Sequence, residues 1–200
     1  MTIPLYMPRP PLRLVIPPSP PACPPISAGC LKAGDVIVQH GTAWVGQTIE
    51  EMTKSPWSHA AMVLEDPGGV MYIAEMCWPR CKRTIMSAWL ADNEAWVYPL
   101  ADRLNTVQTV ALWAWWQKHL DKPYDVLELL RIGDWITWTK ICIFLHLPAP
   151  RPPHGNGVCS VFVAMALKSI GLIDVDPFGV TPATVPDLTC VGAVRKVTTP

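Results

Sequence analysis

Ten of the chain's 23 prolines fall within Met1–Pro25, and that crowding decides where a fold can be built. Each proline removes a backbone donor and fixes φ, so this stretch forms neither a helix nor an interior strand. The expectation is an extended, polyproline-like arm over residues 1–30, either loose or docked on a protein partner. The same prolines interrupt every apolar run before it reaches the length of an export signal's core. The folded domain is therefore expected over residues 31–200, long enough to bury one core.

Charge and cysteine content narrow the function classes. The formal net charge is +0, from 16 basic and 16 acidic residues with no long run of one sign, which argues against nucleic-acid binding. Seven cysteines cannot all pair internally, and Cys77 and Cys81 are poorly spaced for zinc. Reduced thiols, no metal site and no cofactor are expected, in a cytoplasmic or virion-associated protein. The segment from Trp135 to Leu145 is strongly apolar. However, Asp134 and Lys140 leave no uninterrupted stretch near the ~18 residues that a membrane span needs. An apolar helical insertion over about 126–147 is expected instead, as a core or lid helix or with membrane-surface contact at 135–147.

Turn residues and apolar spacing divide the rest. Ala33–Gln39 reads as a turn into a first strand, and Thr42–Lys54 as a short helix or irregular segment. Ser58–Leu64 and Val70–Met76 flank Glu65-Asp66-Pro67-Gly68-Gly69, which predicts a hairpin. Ala95–Leu100 reads as a strand stopped by Pro99, and Thr106–Leu120 as a helix broken by Lys122-Pro123-Tyr124-Asp125. A last helix opens at Cys159 and ends at Gly171, followed by a loop and a final strand over Cys190–Val197. Strands followed by helices, then a helix and a strand, give an α+β class.

The chemistry gathers at Cys159. A thiol at a helix N-terminus feels the positive end of the backbone dipole, which favours thiolate, the attacking form. The competing reading is a buried Cys acting as a small hydrophobe, and a base elsewhere decides between them. Among the five histidines, His40, His119, His146 and His154 lie in turns, helix ends or loops, whereas His59 stands at the start of an apolar strand. If Leu64 pairs with Val70, His59 falls directly opposite Glu75, whose carboxylate then accepts its N–H. Cys159, His59 and Glu75 would serve as nucleophile, base and orienter. Asp35, Trp57 and Tyr124 flank these motifs and are candidates for substrate binding.

Gly34-Asp35-Val36-Ile37, Ser58-His59-Ala60-Ala61-Met62-Val63, Ala74-Glu75, Lys122-Pro123-Tyr124-Asp125, Val158-Cys159-Ser160 and Thr181-Pro182 before Asp187-Leu188 occur in that order. Together they resemble the circularly permuted branch of NlpC-like papain-fold cysteine hydrolases, over about Leu31 to Val197. The resemblance implies a permuted papain-like fold, with a small antiparallel sheet packed on a helix bearing the nucleophile. It implies Cys159 as nucleophile, His59 as base, and a third polar residue where Glu75 stands. Relatives in that branch include peptidases and amidases acting on cell-wall peptides, and acyltransferases resembling the lecithin:retinol group. Three functions follow as expectations. The first is hydrolysis of an amide bond in a peptide or cell-wall peptide. The others are lipid-directed acyl hydrolysis or transfer, and a structural role, for example in a phage tail.

Overall fold

Ala60–Leu64 is apolar at every position, and a strand without polar alternation needs cover on both faces. The computed structural model supplies that cover. It describes residues 23–41, 44–125, 158–188 and 190–199, together with Arg131, Asp134, Trp138, Cys142, Leu145 and Leu147. Seven strands form one sheet: β1 (Ile26–Ser27), β2 (Val36–Gln39), β3 (His59–Glu65), β4 (Met71–Met76), β5 (Cys81–Ile85), β6 (Trp96–Tyr98) and β7 (Arg195–Thr198). Their spatial order is β1-β7-β6-β2-β3-β4-β5, antiparallel throughout except for the parallel β1–β7 pair. The helices are α1 (Trp44–Thr53), α2 (Met86–Asp92), α3 (Thr106–His119) and α4 (Cys159–Ser169).

Side-chain alternation along the strands sorts the core into two layers. Val36, Val38, Ala60, Met62, Leu64 and Ala74 face Leu112 and Trp116 of α3 and Phe162 and Val163 of α4. Ile37, Ala61, Val63, Ile73 and Val97 face the other way, onto Trp89 and Leu90 of α2 and onto Ile26 and Leu31. The class is α+β, as the order of elements predicts.

Four features depart from expectation. The hairpin register is displaced by two residues: Leu64 pairs with Tyr72, and Ala61 rather than His59 stands opposite Glu75. The cause is Asp66, whose side chain accepts from the N–H groups of Gly68 and Val70 at 2.8 and 2.9 Å, tightening the turn to Pro67-Gly68-Gly69. Gly69 takes the left-handed conformation (φ 82°) that such a turn demands. The arm expected over residues 1–30 gives up its end to the domain, since Ile26 and Ser27 pair with Val197 and Thr198 and Ile26 is buried. Residues 1–22 lie outside the described residues. Between Met76 and Ala95, where no element is expected above, lie β5 and the short α2. The final strand covers only Arg195–Thr198.

Most of the apolar insertion at 126–147, with His146 and His154, is outside the described residues. Within it Arg131, Asp134, Trp138 and Cys142 are helical. No helix among the described residues is long and apolar enough to cross a membrane.

Candidate active site

β3 begins at His59 and α4 begins at Cys159, so each reactive side chain sits at the first residue of a rigid element. The two-residue displacement of the hairpin preserves the face on which each side chain lies, because strand alternation has period two. His59 and Glu75 are therefore diagonal neighbours, and His59 Nε2 lies 2.8 Å from Glu75 Oε2. With Nε2 engaged by the carboxylate, Nδ1 is the nitrogen left for the thiol. His59 and Cys159 in turn lie close enough that each favours the charged form of the other.

Val158 is the N-cap of α4 and offers no side-chain cap, and the first intrahelical bond runs from Phe162 N–H to Val158 O at 3.0 Å. The amides that precede it are the helix's unpaired donors. The Ser160 N–H and the Ala60 N–H of β3 act on the Cys159 sulfur and favour its anion. Ser160 Oγ donates to Val180 O at 2.8 Å, anchoring this end of the helix to the loop before Thr181 and Pro182.

The electrostatics separate Cys159 from its neighbours. Burial opposes the thiolate, but the His59 side chain and the two amides outweigh burial and hold the Cys159 pKa below the ordinary thiol value. Burial opposes the His59 charge as well, and Cys159 and Glu75 together raise its pKa from 6.5 to about 10. Burial pushes Glu75 upward, while His59, Lys82 and Trp89 more than reverse this and keep it a carboxylate. The two groups thus shift in complementary directions, the thiol toward its anion and the imidazole toward its cation. Two nearby thiols go the opposite way. Burial and then the Glu75 charge push Cys77 up to about 11, and burial pushes Cys81 up to about 12. All seven cysteines are free thiols.

Of the residues expected to border a substrate, Tyr124 does face the thiol. Burial, then the Cys159 charge, pushes its phenol up, and it packs against Val158 and Val161. Its N–H donates to Pro79 O at 3.0 Å, which fixes the Tyr124 segment to the β4–β5 turn. Asp35 and Trp57 are placed otherwise. Asp35 is 0% exposed and accepts from Lys32 N–H at 2.9 Å, Leu100 N–H at 3.0 Å and Arg103 Nη1 at 3.1 Å. It precedes the end of β2 opposite the His59 end, about 13 Å away at the rise of a strand. Trp57 is 2% exposed and donates to the Tyr98 hydroxyl at 3.2 Å, within a cluster with His40 and Trp96. Both are core residues, because a strand-flanking position adjacent in sequence to the site still points into the layer beneath it.

The other described histidines also have structural partners. His40 lies 3.5 Å from Glu50, and His119 stacks on Trp115 and hydrogen-bonds its carbonyl at 2.6 Å. Sequence reasoning missed Lys82 and Trp89, which both contact Glu75 Oε1, at 3.3 and 3.1 Å. The available signal was Pro79, a turn residue between the apolar Met76 and Cys81 that marks a second hairpin.

No protein-family model and no curated protein matches the sequence. Among solved structures, the fold resembles that of the metalloprotein yiiX from Escherichia coli O157:H7, DUF1105. The TM-score is 0.53 at 21% identity, over 85% of this chain and 99% of that one. At that identity the likeness speaks for the fold. Among the described residues of the present chain, no group of three or more His, Cys, Asp or Glu side chains is placed to hold a metal ion.

Proposed function

We propose that the chain is a thiol-dependent hydrolase of the permuted papain-like kind, acting on an amide bond of a peptide or cell-wall peptide. The observation that carries this reading is the unbroken series from Cys159 through His59 to Glu75, in which one thiol of three close neighbours is pushed toward thiolate. In the first step the Cys159 sulfur attacks the carbonyl carbon and a tetrahedral oxyanion forms. Donors at the uncapped start of α4 are suited to bind that oxygen. The C–N bond then breaks and the His59 proton passes to the leaving amine, giving an acyl-thioester. Water, losing a proton to His59, attacks the thioester carbon. The acid departs and the thiolate–imidazolium pair is restored.

A lipid-directed acyl substrate is a second reading, favoured by the exposure of Trp138 (57%), Leu145 (54%) and Leu147 (55%). Iodoacetamide near neutral pH is expected to alkylate Cys159 well ahead of the other six cysteines. Cys159→Ala is expected to abolish turnover of peptide, muropeptide and phospholipid panels while leaving the melting curve in place. Equal labelling of all seven thiols would remove the nucleophile and the hydrolase reading with it.

A further inference from the structure

A buried carboxylate is tolerated only when its oxygens are satisfied, and Glu75 is gripped by two elements that contribute nothing else to the triad. Oε2 accepts from His59 at 2.8 Å, whereas Oε1 accepts from Trp89 Nε1 at 3.1 Å and lies 3.3 Å from Lys82 Nζ. Lys82 stands directly opposite Glu75 in the β4–β5 register, and Trp89 is buried in α2 against the same face. We propose that Trp89 and Lys82 are positioning residues that fix the orientation and charge of Glu75, and through it set the ionisation of the His59–Cys159 pair. This rests on the thiol-hydrolase reading and extends it from three residues to five.

The chemistry of the donors supports the division of labour. An indole N–H has a single direction and no acceptor capacity, so it binds one carboxylate oxygen and leaves the other for the imidazole. Lys82 supplies charge from the solvent side, where screening reduces its share. The remaining titratable groups that act on Glu75 or its partners are few. His59 comes from β3, Cys77 follows β4, Cys81 opens β5, Cys159 comes from α4, and Tyr124 faces Cys159. None of them bonds Oε1, which belongs to Trp89 and Lys82.

The test is the pH profile of iodoacetamide alkylation at Cys159, read by mass spectrometry on the full chain, which requires no knowledge of the substrate. Trp89→Phe keeps an aromatic ring, though a smaller one, and removes the one donor. The carboxylate then protonates more easily, and the acid limb of the profile is expected to move to higher pH by about half to one unit. Lys82→Met is expected to move it the same way by less. In a Glu75→Gln chain no carboxylate is left to hold, so adding Trp89→Phe is expected to change nothing further. A shift that persists in that background shows Trp89 acting through packing alone and overturns its role, as does an unshifted profile in the single variant. If Glu75→Gln fails to fold, the two single variants decide, each losing its assigned role if its profile is unshifted. A wild-type chain with no preferred labelling of Cys159 overturns the hydrolase reading instead.

Discussion

At the scale of single residues, the His59–Cys159 pair makes a statement about stability as well as reactivity. Native His59 holds its proton to about pH 10 against 6.5 for the free group, so its contribution is complete below 6.5 and lost as pH rises to about 10. Cys159 works in the other direction: its contribution is present above the ordinary thiol value of 9.0 and lost as pH falls through the depressed native value. Where the native sulfur is already a thiolate and the unfolded one is not, these slopes cancel, because each state then keeps one proton on the pair. A net decline is left between pH 9.0 and about 10. Melting midpoints are expected to fall across that interval, and in Cys159→Ser the fall is expected to move toward neutral pH. Melts between pH 6 and 10.5 at fixed ionic strength check this.

At the scale of elements, Asp35 shows how a fully buried carboxylate can tie loops to a sheet. It joins the turn before β2 to Leu100 and Arg103, and Asp35→Ala strips those donors of their acceptor. A loss of about 2–4 kcal/mol in unfolding free energy is expected from denaturant titration. The alkylation rate of Cys159 is expected to hold, since the substitution lies at the far end of the strand. The contrast between Asp35 and Glu75 also explains what was legible in the sequence. The pairing of His59 with Glu75 could be read because strand alternation tolerates an error of two residues and forbids an error of one. The roles of Lys82 and Trp89 could not. The strand carrying Lys82 is strongly charged (Cys-Lys-Arg-Thr-Ile) and the helix carrying Trp89 spans only seven residues, so neither shows a clear hydrophobic period. The burial of Asp35 and Trp57 was not legible either, because adjacency to a motif says nothing about which layer a side chain enters.

At the scale of the whole molecule, the site exists only because distant parts of the chain meet. β3 is an interior strand of the sheet with both faces covered, and α4 arrives a hundred residues later to set its first turn against the start of that strand. The α+β class and the Cys159 helix were readable in advance from local periodicity. The closure of β1 on β7 was not, since two residues pairing across the length of the chain leave no local signal.

The bare start of α4 carries a cost that the rest of the fold absorbs. Asn105 shows the ordinary arrangement at α3, where its side chain and that of Gln108 close a reciprocal capping box. Val158 leaves the corresponding place empty, and the Ser160 N–H, one of the donors that a cap can occupy, acts on the Cys159 sulfur instead. Val158→Thr is close in shape, and a threonine there is expected to add up to about 1 kcal/mol of stability while slowing alkylation of Cys159. Denaturant midpoints and labelling rates measured on the same samples test both halves. A search for more stable variants of this protein would therefore be drawn to the position where success is expected to slow the thiol, so that thermal hardiness and thiol reactivity compete for the same backbone amide.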